Sequence, residues 1–354
     1  MNGNSSDSVS TVLGDITGDE LGLTLVHEHV ISDVRVLQSE AFDESRLAFR
    51  EMPVDEVNPT LLRRDPTVCT DNCILRDEDT AVNELLAYRK AGGQSVVECS
   101  CIGLGRDAEA LARVALASEV NIVAPTGYYL WRSVDEATRE LSVRELARRM
   151  VADLSKGIGG TSVLAGFIGE VGTSAPLHAF EARVLKAAAH AYSETGKPIN
   201  VHLDPSGQEA ERVLEILLGG GVPAGRVIMG HVDLPAVANI SYIRKIASAG
   251  VFLGLDTFGT TFEYDSDQAT DPTDTARMIL LKSLVDMGLE DQLVLSQDIA
   301  FKCQLLRYGG GGYAHLLTNL RPAIVSRGVP EEIVYKCLVQ NPLRWLAPAA
   351  AAGG

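Results

Sequence analysis

Six residues of this chain have the types to hold and use metal ions: His27, His29, Glu170, His202, His231 and Asp298. His27 and His29 stand two apart in LTLVHEH. Residues i and i+2 of a strand face the same side, so both imidazoles reach one point while Glu28 faces away. Each of the other four comes at or just after a short apolar run. Glu170 follows VLAGFI, His202 closes INVH, His231 follows RVIM and Asp298 follows QLVLS. The chain has seven histidines, and four of them fall at such run ends, which a random scatter would not produce. The other three, His178, His190 and His315, read as helix or loop residues with structural roles.

Four imidazoles and two carboxylates make a borderline-hard ligand set. Zinc is the expected metal, and manganese, iron or cobalt meets the same requirement. Two ions about 3.5–4 Å apart can share a bridging hydroxide, which forms at neutral pH because the cations lower the pKa of the water. Glu170 is expected to bridge the ions from the other side. Asp298 is expected to bind one ion and to take the proton of the attacking hydroxide. The chemistry implied is hydrolytic attack on a carbonyl or phosphoryl centre, with no redox cofactor.

Such a cluster needs elements that bring distant residues to one ring. Short runs rich in Val, Ile and Leu are expected as strands at 23–27, 95–99, 121–125, 163–168, 199–202, 226–229, 251–254 and 292–296. Helical spacing is expected over 79–91, 107–118, 141–154, 179–195, 208–217, 235–249 and 274–288, with a last group from 317 to 340. Continuously apolar strands are buried on both faces, as in a parallel sheet. Eight strands, each followed by a helix, predict an α/β fold of the (β/α)8 TIM-barrel type. A doubly wound sheet is the runner-up, but the first strand ends in His-Glu-His where that fold would carry a Gly-rich turn. The long connections at 30–78, 255–273 and 298–316 all follow strands, on the face where barrels build active sites. The run Gly309 to Gly312 marks a tight or mobile turn there. Residues 1–10 are expected to be a disordered lead-in, 11–348 a single barrel domain and 349–354 a flexible tail.

The formal net charge of −16 disfavours nucleic acid and anionic membrane as partners and leaves a small-molecule substrate. No apolar run reaches about 18 residues, and the N-terminus lacks a signal-peptide pattern. A cytoplasmic location is the default expectation. Cys99 and Cys101 alternate on one strand face as inert buried thiols. Cys69 and Cys73, in a loop, are the candidates for a structural pair.

The pattern of HEH after the first strand, single histidines after the fifth and sixth and Asp after the eighth resembles the amidohydrolase superfamily. Within it, the stretches TVLGDITGDELGLTLVHEHV, GLGRDAEALARVA, NIVAPTGYY, VLKAAAHAYSETGKP, GHVD, GLDTFG and QNPLRWLAP resemble the phosphotriesterase branch. The loop FKCQLLRYGGGGYAH is most similar to the phosphotriesterase-related, or resiniferatoxin-binding-like, proteins. The likeness runs from about Val12 to about Pro348. It implies a hydrolase with two metal ions, one on His27, His29 and Asp298 and the other on His202 and His231. A homodimer is common in that family.

True phosphotriesterases bridge the metals with a carboxylated lysine. Residues 165–172 contain none, so the resemblance passes the bridge to Glu170, which needs no carbon dioxide to assemble. Glu170 comes one residue later than the lysine would and calls for a backbone adjustment. Tyr129 stands where organophosphate-degrading members have Trp and lactone-hydrolysing members have Tyr; there it can hydrogen-bond a substrate oxygen. Thr257 stands where some members have His or Arg, which removes one proton relay and leaves Asp233 and Asp256 as candidates. Both departures imply attack on an ester, lactone or amide carbonyl rather than on a phosphotriester, which is the alternative with the same site. A non-catalytic binding protein is the third reading. Tyr128, Lys302 and Arg307 are candidate substrate contacts, the two cations as partners for an anionic group.

Overall fold

Strands that are apolar on both faces need cover on both, and here the apolar runs meet that need by closing on one another. The computed structural model describes residues 8–38, 44–234, 238–264 and 270–347. Eight parallel strand positions follow one another around a barrel. They are β1 (Thr24–Glu28), β2 (Ser95–Glu98), β3, β4 (Phe167–Gly172), β5 (Ile199–His202), β6 (Val227–Met229), β7 (Phe252–Leu255) and β8 (Leu293–Leu295). β3 is made of two segments, Asn121–Val123 paired with β2 and Pro125–Thr126 paired with β4, with Ala124 between them. The ring closes from β8 back to β1, where the Asp298 N–H donates to the His27 carbonyl and the His29 N–H to the Ile299 carbonyl, both at 3.1 Å. The chain is a TIM barrel.

The barrel interior is packed. Val26, Val97, Val123, Phe167, Ile228, Phe252 and Val294 come from seven different strands and form one buried cluster. Val9, Leu21 and Trp345 join the same cluster. A larger apolar shell joins the outer strand faces to the helices α1 (Glu78–Lys90), α2 (Ala108–Ser118), α3 (Val143–Ser155), α4 (Ala179–Thr195), α5 (Ala210–Gly219), α6 (Ile240–Ala247) and α7 (Asp274–Asp286). Local signals set their ends. Asp77 and Asp107 cap α1 and α2, Ser142 and Glu145 form a capping box on α3, and α4 stops at Gly196 with φ +67°. His178 caps α4 by accepting the Phe180 N–H, and His190 is exposed on that helix. His315 bonds Asn319. None of these three reaches the barrel mouth histidines.

Several expectations are corrected. Residues 8–10 are ordered: Ser8–Thr11 forms an antiparallel hairpin with Gly14–Thr17, and the Val12 N–H bonds the Ile122 carbonyl. Residues 1–7 and 348–354 lie outside the described residues. The fourth strand begins at Phe167 rather than at 163, because Ala165 and Gly166 give their N–H groups to Asp153 and Ala124 instead of to a ladder. The sixth helix is shorter than expected and starts at its Asn239 cap. The last helical group is broken into short turns from Leu316 to Leu346 that begin afresh near Pro322, Pro330 and Pro342. Cys69 and Cys73 are both free and buried and form no disulfide.

Glu28 faces away from the interior as the strand period requires, yet it is fully buried. Its carboxylate accepts the Ser296 hydroxyl at 2.7 Å and the N–H groups of Gln297 and Ile299 at 2.8 and 2.9 Å. Glu98 does the same one strand along, accepting the N–H groups of Val30 and Ser100. These two glutamates fix the chain where β8, β1 and β2 meet. Glu28→Ala strands two buried N–H groups and is expected to cost about 2–4 kcal/mol of stability. Urea unfolding measures it, and a loss below about 1 kcal/mol would show that the seam closes without the carboxylate.

Candidate metal centre

Two strands carry an extra residue beside the site. Along β4 and β5, Ile199 pairs with Ile168 but Val201 pairs with Val171, so three steps on β4 match two on β5. The surplus residue falls at Gly169–Glu170. Gly169 has φ +135°, and a Cβ there would meet the Asn200 carbonyl oxygen at 2.3 Å, so only glycine fits. This bulge is the backbone adjustment that places Glu170 inside β4, aimed at the ring of histidines. A matching irregularity lies in β1 between Leu25 and Glu28, around His27. Bulges re-aim side chains, and both of these sit at metal-ligand types.

All six residues converge. Glu170 lies at the centre, with Oε2 3.2 Å from His27 Nε2, 3.4 Å from His202 Nδ1 and 3.7 Å from His231 Nε2, and Oε1 3.5 Å from His29 Nε2. Asp298 Oδ1 is 3.2 Å from His29 Nε2 and 3.8 Å from His27 Nε2. His27, His29 and Asp298 form one group whose ligand atoms lie within 4.8 Å of one another, and His27, Glu170 and His231 form a second. His202 joins the second side, its Nδ1 2.9 Å from His231 Nε2. His231 and Asp298 both adopt left-handed backbone, at φ +58° and +51°. Hydrogen bonds hold them there: the His231 N–H to Asp256 at 2.9 Å and the Asp298 N–H to the His27 carbonyl.

Asp256 gathers more of the site than the sequence suggested. It is fully buried, with Oδ1 2.9 Å from His231 Nδ1 and Oδ2 3.3 Å from His27 Nδ1. It therefore backs two imidazoles and turns their Nε2 atoms toward Glu170. Gly254 leaves room for it, since a Cβ there would meet Asp256 Oδ2 at 2.4 Å. Thr257 and Asp233 serve a different purpose. Asp233 accepts the Thr257 hydroxyl at 2.9 Å and Arg277 Nε at 3.1 Å, and both members of that ion pair are buried. It is a structural lock behind the loop after β7.

The donor set fits cations. Burial opposes ionisation of Glu170, but the His27 charge and the close imidazoles of His202 and His231 hold its carboxyl well below the usual range. Asp256 and Asp298 are likewise lowered against burial by the histidines. Burial opposes the charge on His231 too, yet Asp256 and Glu170 raise it to about 10. Two buried carboxylates and the partly open Asp298 thus draw positive charge into the cluster. His27 Nε2 and Glu170 Oε2 are buried without a hydrogen-bond partner, the orphan atoms expected of ligands.

Tyr129 reaches the same ring, its hydroxyl 3.3 Å from His202 Nε2. The candidate substrate contacts fare differently. Tyr128 is buried on the outer side of the barrel, edge-on to Phe180 of α4 at 6.2 Å, and does not face the mouth. Lys302 pairs with Asp71 at 2.5 Å, and Arg307 with Asp77 at 3.1 Å and Thr80 at 2.7 Å. Their charges hold loops together, so neither is the free partner expected for an anion.

Fold and site together define a hydrolase barrel of the metal-dependent kind. The chain belongs to the phosphotriesterase family, whose model matches residues 7–346. An N-acetyltaurine hydrolase of Tetraodon nigroviridis is 37% identical over 349 residues, covering 97% of this chain and 99% of the relative. A phosphotriesterase-related protein of Nematostella vectensis is 34% identical, covering 96% and 99%. A crystal structure of a resiniferatoxin-binding protein from Rhodobacter sphaeroides superposes with a TM-score of 0.93 at 33% identity, covering 96% of this chain and 95% of that one. Among the described residues no helix is long and apolar enough to cross a membrane.

Asp256→Ala should weaken metal retention about ten- to a hundredfold, the usual effect of losing a partner that orients ligating imidazoles. Dialysis against graded chelator followed by metal analysis measures it. Wild-type retention would show that the imidazoles hold their orientation without Asp256.

Proposed function

We propose that this chain is a binuclear metal-dependent amidase that cleaves N-acyl amides, with zinc as the first candidate metal. The observation that carries the reading is the convergence of four imidazoles on Glu170, with Asp298 beside them and Tyr129 at the rim. His27, His29 and Asp298 would hold one ion, His202 and His231 the other, and Glu170 would bridge them. When bound, the ions supply Lewis-acid polarisation of the carbonyl and activation of water at neutral pH.

The chain's own groups do the rest. Asp298 has the most exposed side chain of the three carboxylates, at 24% against 2% for Glu170 and 0% for Asp256. It is the one placed to take a proton from the attacking water and to return it to the leaving amine. Burial, then the charges of Glu170 and Asp298, push the Tyr129 phenol well above its ordinary range. Tyr129 therefore stays a hydrogen-bond donor toward a substrate oxygen. An amide needs its leaving nitrogen protonated, and a carboxylate that cycles its proton meets that need. The relatives named N-acetyltaurine hydrolase support an amide substrate over a lactone or phosphotriester.

The test is a side-by-side panel on metal-loaded protein. N-acyl amino acids and N-acyl amino sulfonates should exceed lactones and paraoxon-type triesters in kcat/KM; triesters turning over faster than every amide would overturn the reading. His202→Ala should lower the amide kcat/KM by more than about a hundredfold, beyond the range for an outer partner. Retained activity would break the two-metal assignment.

A further inference from the structure

An N-acyl amino acid or amino sulfonate carries a fixed negative charge some atoms away from its scissile carbonyl. A chain of net charge −16 with three carboxylates gathered at its site repels such a molecule unless a local cation receives the acid group. The cations on the mouth loops are mostly committed. Arg35 and Arg76 share Asp33, Arg64 pairs with Glu263, and Lys302 and Arg307 hold Asp71 and Asp77. Among the described residues of these loops, Arg63 and Arg132 have no hydrogen-bonding or ionic partner.

Their positions differ. Arg63 lines a cavity of about 330 Å³ between the loops after β1, β7 and β8. That cavity is bordered by Gln297 and Ile299, the neighbours of Asp298, and by no metal-ligand side chain. Arg132 comes three residues after Tyr129, in the short turn Trp131–Ser133 that leaves β3 at the mouth. The turn is pinned by the Trp131 N–H on Glu181 at 3.1 Å and the Ser133 N–H on the Leu130 carbonyl at 2.9 Å. The Trp131 ring stacks on His178, with centroids 4.7 Å apart and planes at 21°. Arg132 is exposed. An unpaired guanidinium is thus carried three residues after Tyr129, on the same pinned mouth segment that brings the Tyr129 hydroxyl to His202.

We infer that Arg132 is a specificity-determining residue whose guanidinium receives the distal carboxylate or sulfonate of an N-acyl substrate held by its carbonyl beside Tyr129. The inference rests on the amide reading above. Arg presents a planar fork of donors that matches either acid group in paired hydrogen bonds. It therefore selects acidic N-acyl compounds over neutral amides of the same length.

The experiment compares wild type, R132Q, R132K and R63Q, all metal-loaded, on N-acetyltaurine, N-acetyl-β-alanine and neutral N-ethylacetamide. In R132Q the ratio of acidic to neutral kcat/KM should fall about ten- to a hundredfold, the scale of one lost charge-assisted contact. The loss should appear mainly in KM, R132K should recover part of it, and R63Q should keep the wild-type ratio. An unchanged ratio in R132Q, or a selective fall in R63Q instead, overturns the inference. The sulfonate and carboxylate arms show which acid is preferred. If wild type cleaves none of the three, the amide reading fails, and calorimetric titration with N-acetyltaurine still decides Arg132. Weaker binding to R132Q than to wild type supports it, and equal or absent binding to both overturns it.

Discussion

The constraint on which the rest depends is the gathering of three carboxylates, buried Glu170 and Asp256 and partly open Asp298, against four imidazoles in one small volume. Isolated buried carboxylates are prohibitively costly and must find cations or hydrogen-bond donors. Here Glu170, Asp256 and Asp298 each lie within 3.5 Å of imidazole nitrogens. Protonated imidazoles can supply the balancing charge, and so can metal ions that displace those protons. The two solutions compete, so metal binding by this cluster would be coupled to proton release. The left-handed backbone of His231 and Asp298 persists because the same hydrogen bonds over-determine it.

A barrel is what lets this charge be concentrated without unravelling. The candidate ligands come from β1, β4, β5, β6 and the segment after β8, five positions far apart in sequence. The supporting cost is carried one layer out. Glu28 and Glu98 satisfy the N–H groups of the segments that bear the candidate ligands, while the apolar interior cluster below excludes water. Asp233 and Arg277 perform a similar service for the loop after β7. These buried polar groups are partnered by backbone and side chains together, which fixes a unique loop path.

Much of this was legible in the sequence. Apolar runs of four to six residues alternating with amphipathic stretches give the barrel, and ligand types at run ends give the ring. The structure brings together the six residues that spacing singled out. Other features were hidden for physical reasons. A bulge is a register mismatch between two strands, so nothing within 163–172 alone reveals that β4 starts at Phe167 or that Glu170 is internal to it. The role of Glu28 follows from partners nearly 270 residues away. Its period-2 position says only that it faces outward, and in a barrel outward can still mean buried under helices and loops. Lys302 and Arg307 looked available because their counter-ions, Asp71 and Asp77, belong to the loop after β1. Asp256 carried a usable signal: in GLDTFG it follows an apolar strand as His202, His231 and Asp298 do, with a glycine two residues before it to make room.

Asp256 and Asp298 show how environment divides labour between like groups. Both are aspartates at strand ends, both are lowered by the same histidines, and both touch His27. Asp256 has no exposed surface, and its oxygens are taken by the Nδ1 atoms of His27 and His231, so it can orient rings but not exchange protons with solvent. Asp298 faces the Nε2 side and keeps a quarter of its side chain open. The Thr257 hydroxyl, behind them, is engaged by Asp233 and Arg277 rather than free to relay a proton. Asp298 is thus the carboxylate of the three with open surface. On the amide reading, a carboxylate that can take a proton and give it back suits a leaving group that needs the proton, as an amine does.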